Sequence, residues 1–278
     1  MTSATIAHVP AATRAIIGGS ATLAADFPGG LHHPGARVLE RDLVFETPWG
    51  DSPPFLLFEL GGQRVLHVRL HGWREGVARG RASRQVFSVL HRAGVRRILS
   101  DAGVGSLSRL LDPGDLVAAD DFVDQTTDRD GDGMIVGGQL LIMRDPICAV
   151  GRAALTGAAR RLAAERRIFT RGTYVVTEGP RFESPAEVRH LQTMGDIVGQ
   201  SVSPEVWLAR DIGACYSGIY IVVNYGEGVV CEWEHDVLAR IFHEDADLIG
   251  RILLTALTSL PEDDHCRCRE LRKPTLLR

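Results

Sequence analysis

The chain has 278 residues, 45% of them hydrophobic, and a formal net charge of -4 at pH 7. This length and apolar content favour one large domain, and the absence of a basic block argues against nucleic acid as a partner. No apolar run reaches the ~18 residues of a membrane span and no signal-peptide pattern opens the chain, so we expect a cytoplasmic protein with no membrane partner.

Short β-branched runs alternate with helix-like segments along the chain. We predict strands at 14–20, 55–60, 64–72, 95–103, 114–123, 172–179 and 218–226. We predict helices at 82–94, 147–167, 185–195, 204–213 and 237–257. This alternation predicts an α/β fold in a single domain, with helices on both faces of a central sheet. We assign 1–13 to an N-terminal extension, 14–260 to the domain, and 261–278 to a polar C-terminal tail that we expect to be loose.

The cysteines do not show the spacing of a metal site. They are Cys148, Cys215, Cys231, Cys266 and Cys268, and no CxxC pair or Cys/His ligand set is present. A metal at the close pair beside His265 is the alternative to a flexible tail with reduced thiols. We expect the flexible tail, and therefore no metal.

Polar or glycine-rich turns follow several of the predicted strands. In open α/β sheets, ligands bind outside the carboxyl ends of the strands. The turns are Gly18-Gly19-Ser20, His71-Gly72, SDAGVGS (100–106), EGPRF (178–182) and Asn224-Tyr225-Gly226. Two of them combine glycines with a hydroxyl, and such turns can aim backbone N–H groups at an anion. Taken singly, each is more often an ordinary turn than a ligand site.

Taken together and in order, six segments resemble the trimeric purine nucleoside phosphorylase family, within it the methylthioadenosine and methylthioinosine phosphorylases. These segments are IIGGS (16–20), ETPWGDSPP (46–54), HG (71–72), 94–127, EGPRFESPAE (178–187) and 204–228. The resemblance implies a central mixed sheet flanked by helices, a homotrimer, and no cofactor, with phosphate as co-substrate. Its implied substrate is a purine nucleoside or 5′-modified nucleoside.

The resemblance also implies which residues contact the nucleoside. Phe182 would stack on the purine, although it could instead cap the helix that follows it. Asn224 would be the catalytic base contact. It stands where the methylthioadenosine enzymes have aspartate, and an amide that both donates and accepts favours a 6-oxopurine. Gly199 and Gln200 would contact the ribose.

The phosphate site matches the family only in part. Ser20, His71, Gly103 and Ser201 fall at phosphate-site positions of the family, and His71 is also a catalytic candidate. Leu70 stands where the family has an arginine, and losing that contact removes one of the stronger polar interactions available to a phosphate. Acidic residues lie nearby at Glu75 and Asp101.

Three interpretations therefore remain open from the sequence. The first is a phosphorylase whose phosphate is bound by another arginine. The candidates are Arg74, Arg79, Arg81 and Arg84, because strand alternation turns Arg69 to the opposite face. The second is a nucleoside hydrolase that uses water. The third is a non-catalytic nucleoside binder.

Overall fold

The computed structural model describes residues 8–71, 76–127, 133–230, 241–261 and 266–275. Its strands are β1 (Arg14–Gly18), β2 (Ala36–Leu43), β3 (Phe55–Leu60), β4 (Gln63–Arg69), β5 (Arg97–Ser106), β6 (Leu116–Val117), β7 (Asp121–Asp124), β8 (Gln139–Leu141), β9 (Ile168–Phe169), β10 (Thr173–Val176), β11 (Ile197–Gly199), β12 (Cys215–Tyr225) and β13 (Arg272–Pro274). The helices are α1 (Arg79–Ala93), α2 (Ala149–Leu162), α3 (Pro185–Leu191), α4 (Val202–Ile212) and α5 (Ala246–Ser259).

Eleven of these strands form one mixed sheet, as predicted for an α/β fold. Strands β4, β1, β5 and β12 run parallel to one another, whereas β2, β3 and β4 form an antiparallel meander. Near its end, β5 also pairs antiparallel with β11, which continues the sheet to β10 and β7. Strand β5 therefore lies at the centre and joins both parts of the sheet.

The central strands are apolar runs because helices cover both faces of the sheet. All five residues of β1 are buried, and so are the first ten of the eleven residues of β12. Helices α1 and α4 pack together, as do α2 and α5. Each helix pair contributes to a separate apolar cluster of the core.

Local sequence signals account for several helix ends. Ser184 and Glu187 form a capping box at the start of α3, and Pro185 occupies its first turn. Helices α1 and α4 end at Gly94 and Gly213, which have φ angles of 79° and 78°. Only glycine adopts this left-handed conformation at little cost, so these two positions end the helices.

Three expectations differ from the structure. Strand β2 was not predicted, because half of its residues are polar and only the last is buried. The helix predicted over 237–257 is interrupted, because residues 241–244 are helical but a bend at Asp245 separates them from α5, and residues 237–240 lie outside the described residues. The loose tail is wrong for residues 266–275, where β13 pairs with β8 and Cys268 and Leu271 are buried. Among the described residues, no helix has the length and apolarity needed to cross a bilayer.

Candidate active site

A cavity of about 470 Å³ opens at one end of the central strands. This volume lies within the ~300–1,000 Å³ typical of small-molecule sites. All eight site residues expected from the sequence line it, namely Ser20, His71, Gly103, Phe182, Gly199, Gln200, Ser201 and Asn224. The fold therefore gathers residues that are up to 204 positions apart in the chain, from Ser20 to Asn224.

The first glycine turn is held by a buried carboxylate. Oδ1 of Asp101 accepts hydrogen bonds from the backbone N–H of Gly19 at 3.0 Å and from Oγ1 of Thr22 at 2.9 Å. A Cβ on Gly19 would lie only 1.9 Å from the backbone oxygen of Asp101, so this close approach requires glycine. Burial raises the pKa of Asp101 against the effect of these hydrogen bonds.

Asp101 and Ala102 are neighbours in β5, and their side chains point in different directions. The fully buried Asp101 is not among the cavity-lining residues of the described chain, whereas Ala102 lines the cavity. Asp101 therefore holds the loop and does not present its carboxylate to a ligand. Next to it, the backbone N–H of Gly103 donates to Oγ of Ser20 at 2.9 Å, which joins two of the expected phosphate-site residues.

His71 is held between two acceptors. Its Nε2 lies 2.5 Å from Oε1 of Glu205, and its Nδ1 lies 2.9 Å from the backbone oxygen of Asp101. Burial alone lowers the pKa of His71, but the charge and hydrogen bond of Glu205, together with Asp101, outweigh it, so that the pKa is raised. Glu205 is itself buried, and its Oε2 accepts from the hydroxyl of Tyr216 at 2.8 Å.

Leu70, which stands at the position of the family's arginine, turns an uncharged side chain towards the cavity. Leu70 is buried and lines the cavity, whereas Nη2 of Arg69 donates to the backbone oxygen of Ala25 at 2.9 Å. Strand alternation therefore directs these two side chains as expected.

Of the four alternative arginines, Arg79 is the one that the described structure places in the cavity wall. Arg81 donates to the backbone oxygen of Trp49 at an exposed position, and Arg84 donates to that of Gly133 at 2.8 Å. Arg74 lies outside the described residues, as does Glu75. Among the three candidates that the structure describes, Arg79 is thus the one placed to meet a phosphate.

Arg79 also contacts the segment expected at the ribose. Its guanidinium donates to the backbone oxygen of Gln200 and lies 3.8 Å from Oε1 of Glu178. Burial raises the pKa of Tyr174, and the charge of Arg79 opposes that rise. The hydroxyl of Tyr174 lies 2.9 Å from Oγ of Ser201. Arg79 therefore influences the hydroxyl group that Ser201 contacts.

Helix α1 begins at the cavity. Arg79, Ala82 and Ser83, in the first turns of α1, line it, and so does Ser201, which precedes the kink that Ser203 makes in α4. The unsatisfied N–H groups and dipole of a helix N-terminus attract anions. The cavity therefore has an electropositive region although it lacks an arginine at Leu70.

The part of the cavity that contains Phe182 and Asn224 suits a flat ring with hydrogen-bonding groups on its edge. Phe182 is 51% exposed although it lines the cavity, so its face is not part of the core. Nδ2 of Asn224 donates to the backbone oxygen of Tyr225 at 2.8 Å. An amide has two donors and an acceptor, so Asn224 retains one N–H and its Oδ1 without a partner among the described residues. Glu227 lines the same cavity.

Between these parts lie the residues expected at the ribose. A Cβ on Gly199 would lie 2.1 Å from the hydroxyl oxygen of Tyr174, so glycine allows the chain to pass over this ring. Nε2 of Gln200 donates to the backbone oxygen of Arg181 at 3.2 Å, which links the ribose segment to the turn that carries Phe182.

Sequence reasoning missed Glu205 and Phe242. Glu205 lies in the PEV segment (204–206) that contributed to the resemblance, but an acidic residue in a helix gives no sign that it meets His71. Phe242 lines the cavity, and a Cβ on Gly103 would lie 2.6 Å from its Cε1. That contact joins segments far apart in the chain, and no local pattern could reveal it.

Comparisons with known proteins agree with this arrangement. The family model described as "Phosphorylase superfamily" matches residues 13–258. A 6-oxopurine nucleoside phosphorylase from Pyrococcus furiosus is 31% identical over 270 residues, covering 93% of this chain and 97% of the relative. An S-methyl-5′-thioadenosine phosphorylase from Thermofilum pendens is 32% identical, covering 91% and 94%. The crystal structure of a methylthioadenosine phosphorylase from an antarctic soil metagenomic library superposes with a TM-score of 0.75 at 27% identity, covering 94% of this chain and 91% of the other. The ordered motifs, the cavity and these relatives agree, and the chain belongs to the phosphorylase superfamily.

Proposed function

We propose that this chain cleaves the N-glycosidic bond of a 6-oxopurine nucleoside, or of a 5′-modified one, by phosphorolysis. The observation that carries the proposal is a single cavity with an aromatic face and an amide at one part and an electropositive region at another. Phe182 and Asn224 supply the aromatic face and the amide, and Arg79 with the N-terminus of α1 supplies the electropositive region.

In this proposal, Asn224 stabilises the departing base. The purine gains negative charge as its bond to C1′ breaks, and a donor already fixed at O6 or N7 lowers the energy of that state. The side chain is 6% exposed, so its hydrogen bond forms away from bulk water. Gly199 and Gln200 contact the ribose, and Phe182 stacks on the purine face.

Phosphate would approach the sugar from the face opposite the base. Ser20, Gly103, Ser201 and His71 surround it in this proposal, and Arg79 supplies the charge that Leu70 lacks. His71 lies beside the phosphate in this proposal, held by the carboxylate of Glu205 and the backbone oxygen of Asp101. The N-terminus of α1 supplements the charge of Arg79 without a second side chain.

Little in the site favours water as the nucleophile. Of the two acidic residues expected near the phosphate site, Asp101 is buried behind the glycine turn, and Glu75 lies outside the described residues. The relatives named above are phosphorylases. We further propose a cytoplasmic homotrimer without a cofactor, in line with the family resemblance. Light scattering at micromolar concentration tests the trimer, and a monomer would contradict it.

Purine release with and without phosphate tests the proposed function. The purified chain is given inosine, guanosine or 5′-methylthioinosine, and adenosine serves as the 6-amino comparison. We expect release of hypoxanthine or guanine that saturates with phosphate and yields one pentose 1-phosphate per base. Equal release without phosphate would establish hydrolysis instead. Binding without release would establish the non-catalytic interpretation.

A further inference from the structure

Four cysteines that are distant in the sequence meet in the fold. Cys148 precedes the first turn of α2, Cys215 is the first residue of β12, and Cys266 and Cys268 lie in the C-terminal tail. Their four Sγ atoms lie within 4.8 Å of one another. Cys148, Cys215 and Cys268 are buried, and all four are free thiols.

This arrangement has the ligand number and spacing of a closed tetrahedral site. Zinc binds thiolate sulfur at ~2.3 Å, which places the sulfurs of a tetrahedron of four cysteine ligands ~3.8 Å apart. Sγ of Cys215 already lies 3.2 Å from Sγ of Cys266, and the upper limit of 4.8 Å for the set requires only small side-chain shifts. A set of four sulfurs favours Zn²⁺ or an iron–sulfur centre over Mg²⁺ or Ca²⁺.

The surroundings would also stabilise thiolates. Nη1 of the buried Arg97 lies 3.2 Å from Sγ of Cys215 and 3.7 Å from Sγ of Cys266. Cys148 stands at the N-terminus of the 14-residue helix α2, where the helix dipole favours negative charge. Four thiolates around Zn²⁺ leave two negative charges, and these outer partners offset them.

We propose that Cys148, Cys215, Cys266 and Cys268 bind one structural Zn²⁺ ion that fastens the C-terminal tail to the body of the protein. Binding forms four S–Zn bonds, and each thiol releases its proton to the solvent. Four protein ligands leave no open position for substrate, so the site is structural and not catalytic. It lies at the start of β12, whereas Asn224 lies nine residues further along, or about 30 Å away at the usual rise of a strand.

The first test uses the full-length wild-type chain, purified in reducing buffer and dialysed against Zn²⁺. We expect one zinc per chain by mass spectrometry of the metal, and a Tm about 5–10 °C lower after a strong chelator removes it. Co²⁺ in place of Zn²⁺ should give the absorption bands of tetrahedral cobalt with thiolate ligands. Less than a tenth of a zinc per chain would overturn the proposal, and so would an intact mass below that of the reduced chain, which indicates disulfides.

The second test uses substitutions at the tail, with Cys231→Ser as the matched control. Cys266→Ser and Cys268→Ser should lose most of the zinc and of the chelator-sensitive part of Tm, whereas the control should keep both. Nucleoside cleavage measured well below Tm should be unchanged in the two tail variants, because the cluster is remote from the cavity. Full zinc content in both tail variants would overturn the proposal. If a tail variant does not fold, the cobalt spectrum of the wild type tests the proposal. Bands of tetrahedral cobalt with thiolate ligands would support it, and their absence would overturn it.

Discussion

Nε2 of His71 lies 2.5 Å from Oε1 of Glu205, while Nδ1 of the same ring lies 2.9 Å from the backbone oxygen of Asp101. Both partners accept hydrogen bonds, so the ring satisfies them best with a proton on each nitrogen. An imidazolium held in this way forms an ion pair with Glu205 in the cavity wall, next to the position where the family's arginine is replaced by Leu70.

Glu205→Gln should lower the pKa of His71, because it removes the charge that holds the proton. Since the pKa of His71 is raised in the folded state, the pair stabilises the protein fully below the ordinary histidine pKa of ~6.5, and this contribution disappears as the pH rises through the raised pKa. The difference in Tm between wild type and variant should therefore be largest at acid pH. NMR titration of the ring measures the pKa directly. Glu165→Gln, at an exposed acidic residue, is the control and should leave it unchanged.

Arg79→Met should weaken phosphate binding with little effect on nucleoside binding. Loss of hydrogen bonds to a charged ligand costs about 1.5–3 kcal/mol, so the KM for phosphate should rise roughly 10- to 150-fold. Arg81→Met is the matched control, because Arg81 is exposed and donates to Trp49. Initial rates at varied phosphate and fixed inosine measure the effect.

A double substitution tests whether an arginine at position 70 can replace Arg79 in binding phosphate. In the wild type, Leu70→Arg should lower activity, because a second guanidinium enters the cavity that Arg79 already occupies. In the Arg79→Met background, the same change should recover part of the phosphate affinity. If Arg79→Met has no effect on the phosphate KM, the proposed role of Arg79 is wrong.

Asn224→Asp should shift the preference from 6-oxopurines towards 6-aminopurines. A carboxylate repels O6 but accepts a hydrogen bond from an exocyclic amino group. The ratio of kcat/KM for inosine to that for adenosine measures the shift, and we expect it to fall at least 10-fold. An unchanged ratio would show that another residue reads the base, and Glu227, which lines the same cavity, would be the next to test.

Phe182→Ala should weaken nucleoside binding by roughly 1–3 kcal/mol, the usual contribution of stacking between an aromatic side chain and a base. Because Phe182 is 51% exposed, its loss should leave the Tm nearly unchanged. Titration with a non-reacting nucleoside analogue gives the affinity, and calorimetry gives the Tm. A lower Tm with unchanged affinity would mean that Phe182 only packs on α3.

The sequence allowed the fold and the outline of the cavity to be predicted because both depend on local patterns. Apolar runs marked β1, β5 and β12, and the turns after them carried residues that the structure brings together. Strand β2 was missed because its polar residues lack a clear alternation. The direction of Asp101 was also missed, because β5 continues to Ser106 instead of turning there.

Tertiary contacts account for most of what the sequence did not reveal. Four arginines were equivalent candidates until α1 placed Arg79 in the cavity wall. Cys148 and Cys215 are 67 residues apart, and only the packing of α2, β12 and the tail brings them to Cys266 and Cys268. No spacing rule for metal ligands covers such distances, so the expectation of a loose, reduced tail followed from local information alone.

The central position of β5 has a consequence for how the enzyme can change its substrate range. This strand is bonded to β1 and β12 and, near its end, to β11, and Ala102, Gly103 and Gly105 form part of the cavity floor. Amides of such a strand open only with large parts of the fold, so they should be among the slowest to exchange with deuterium. Adaptation to a new nucleoside should therefore proceed through the rim, at Phe182 and Gln200, where substitutions cost little stability.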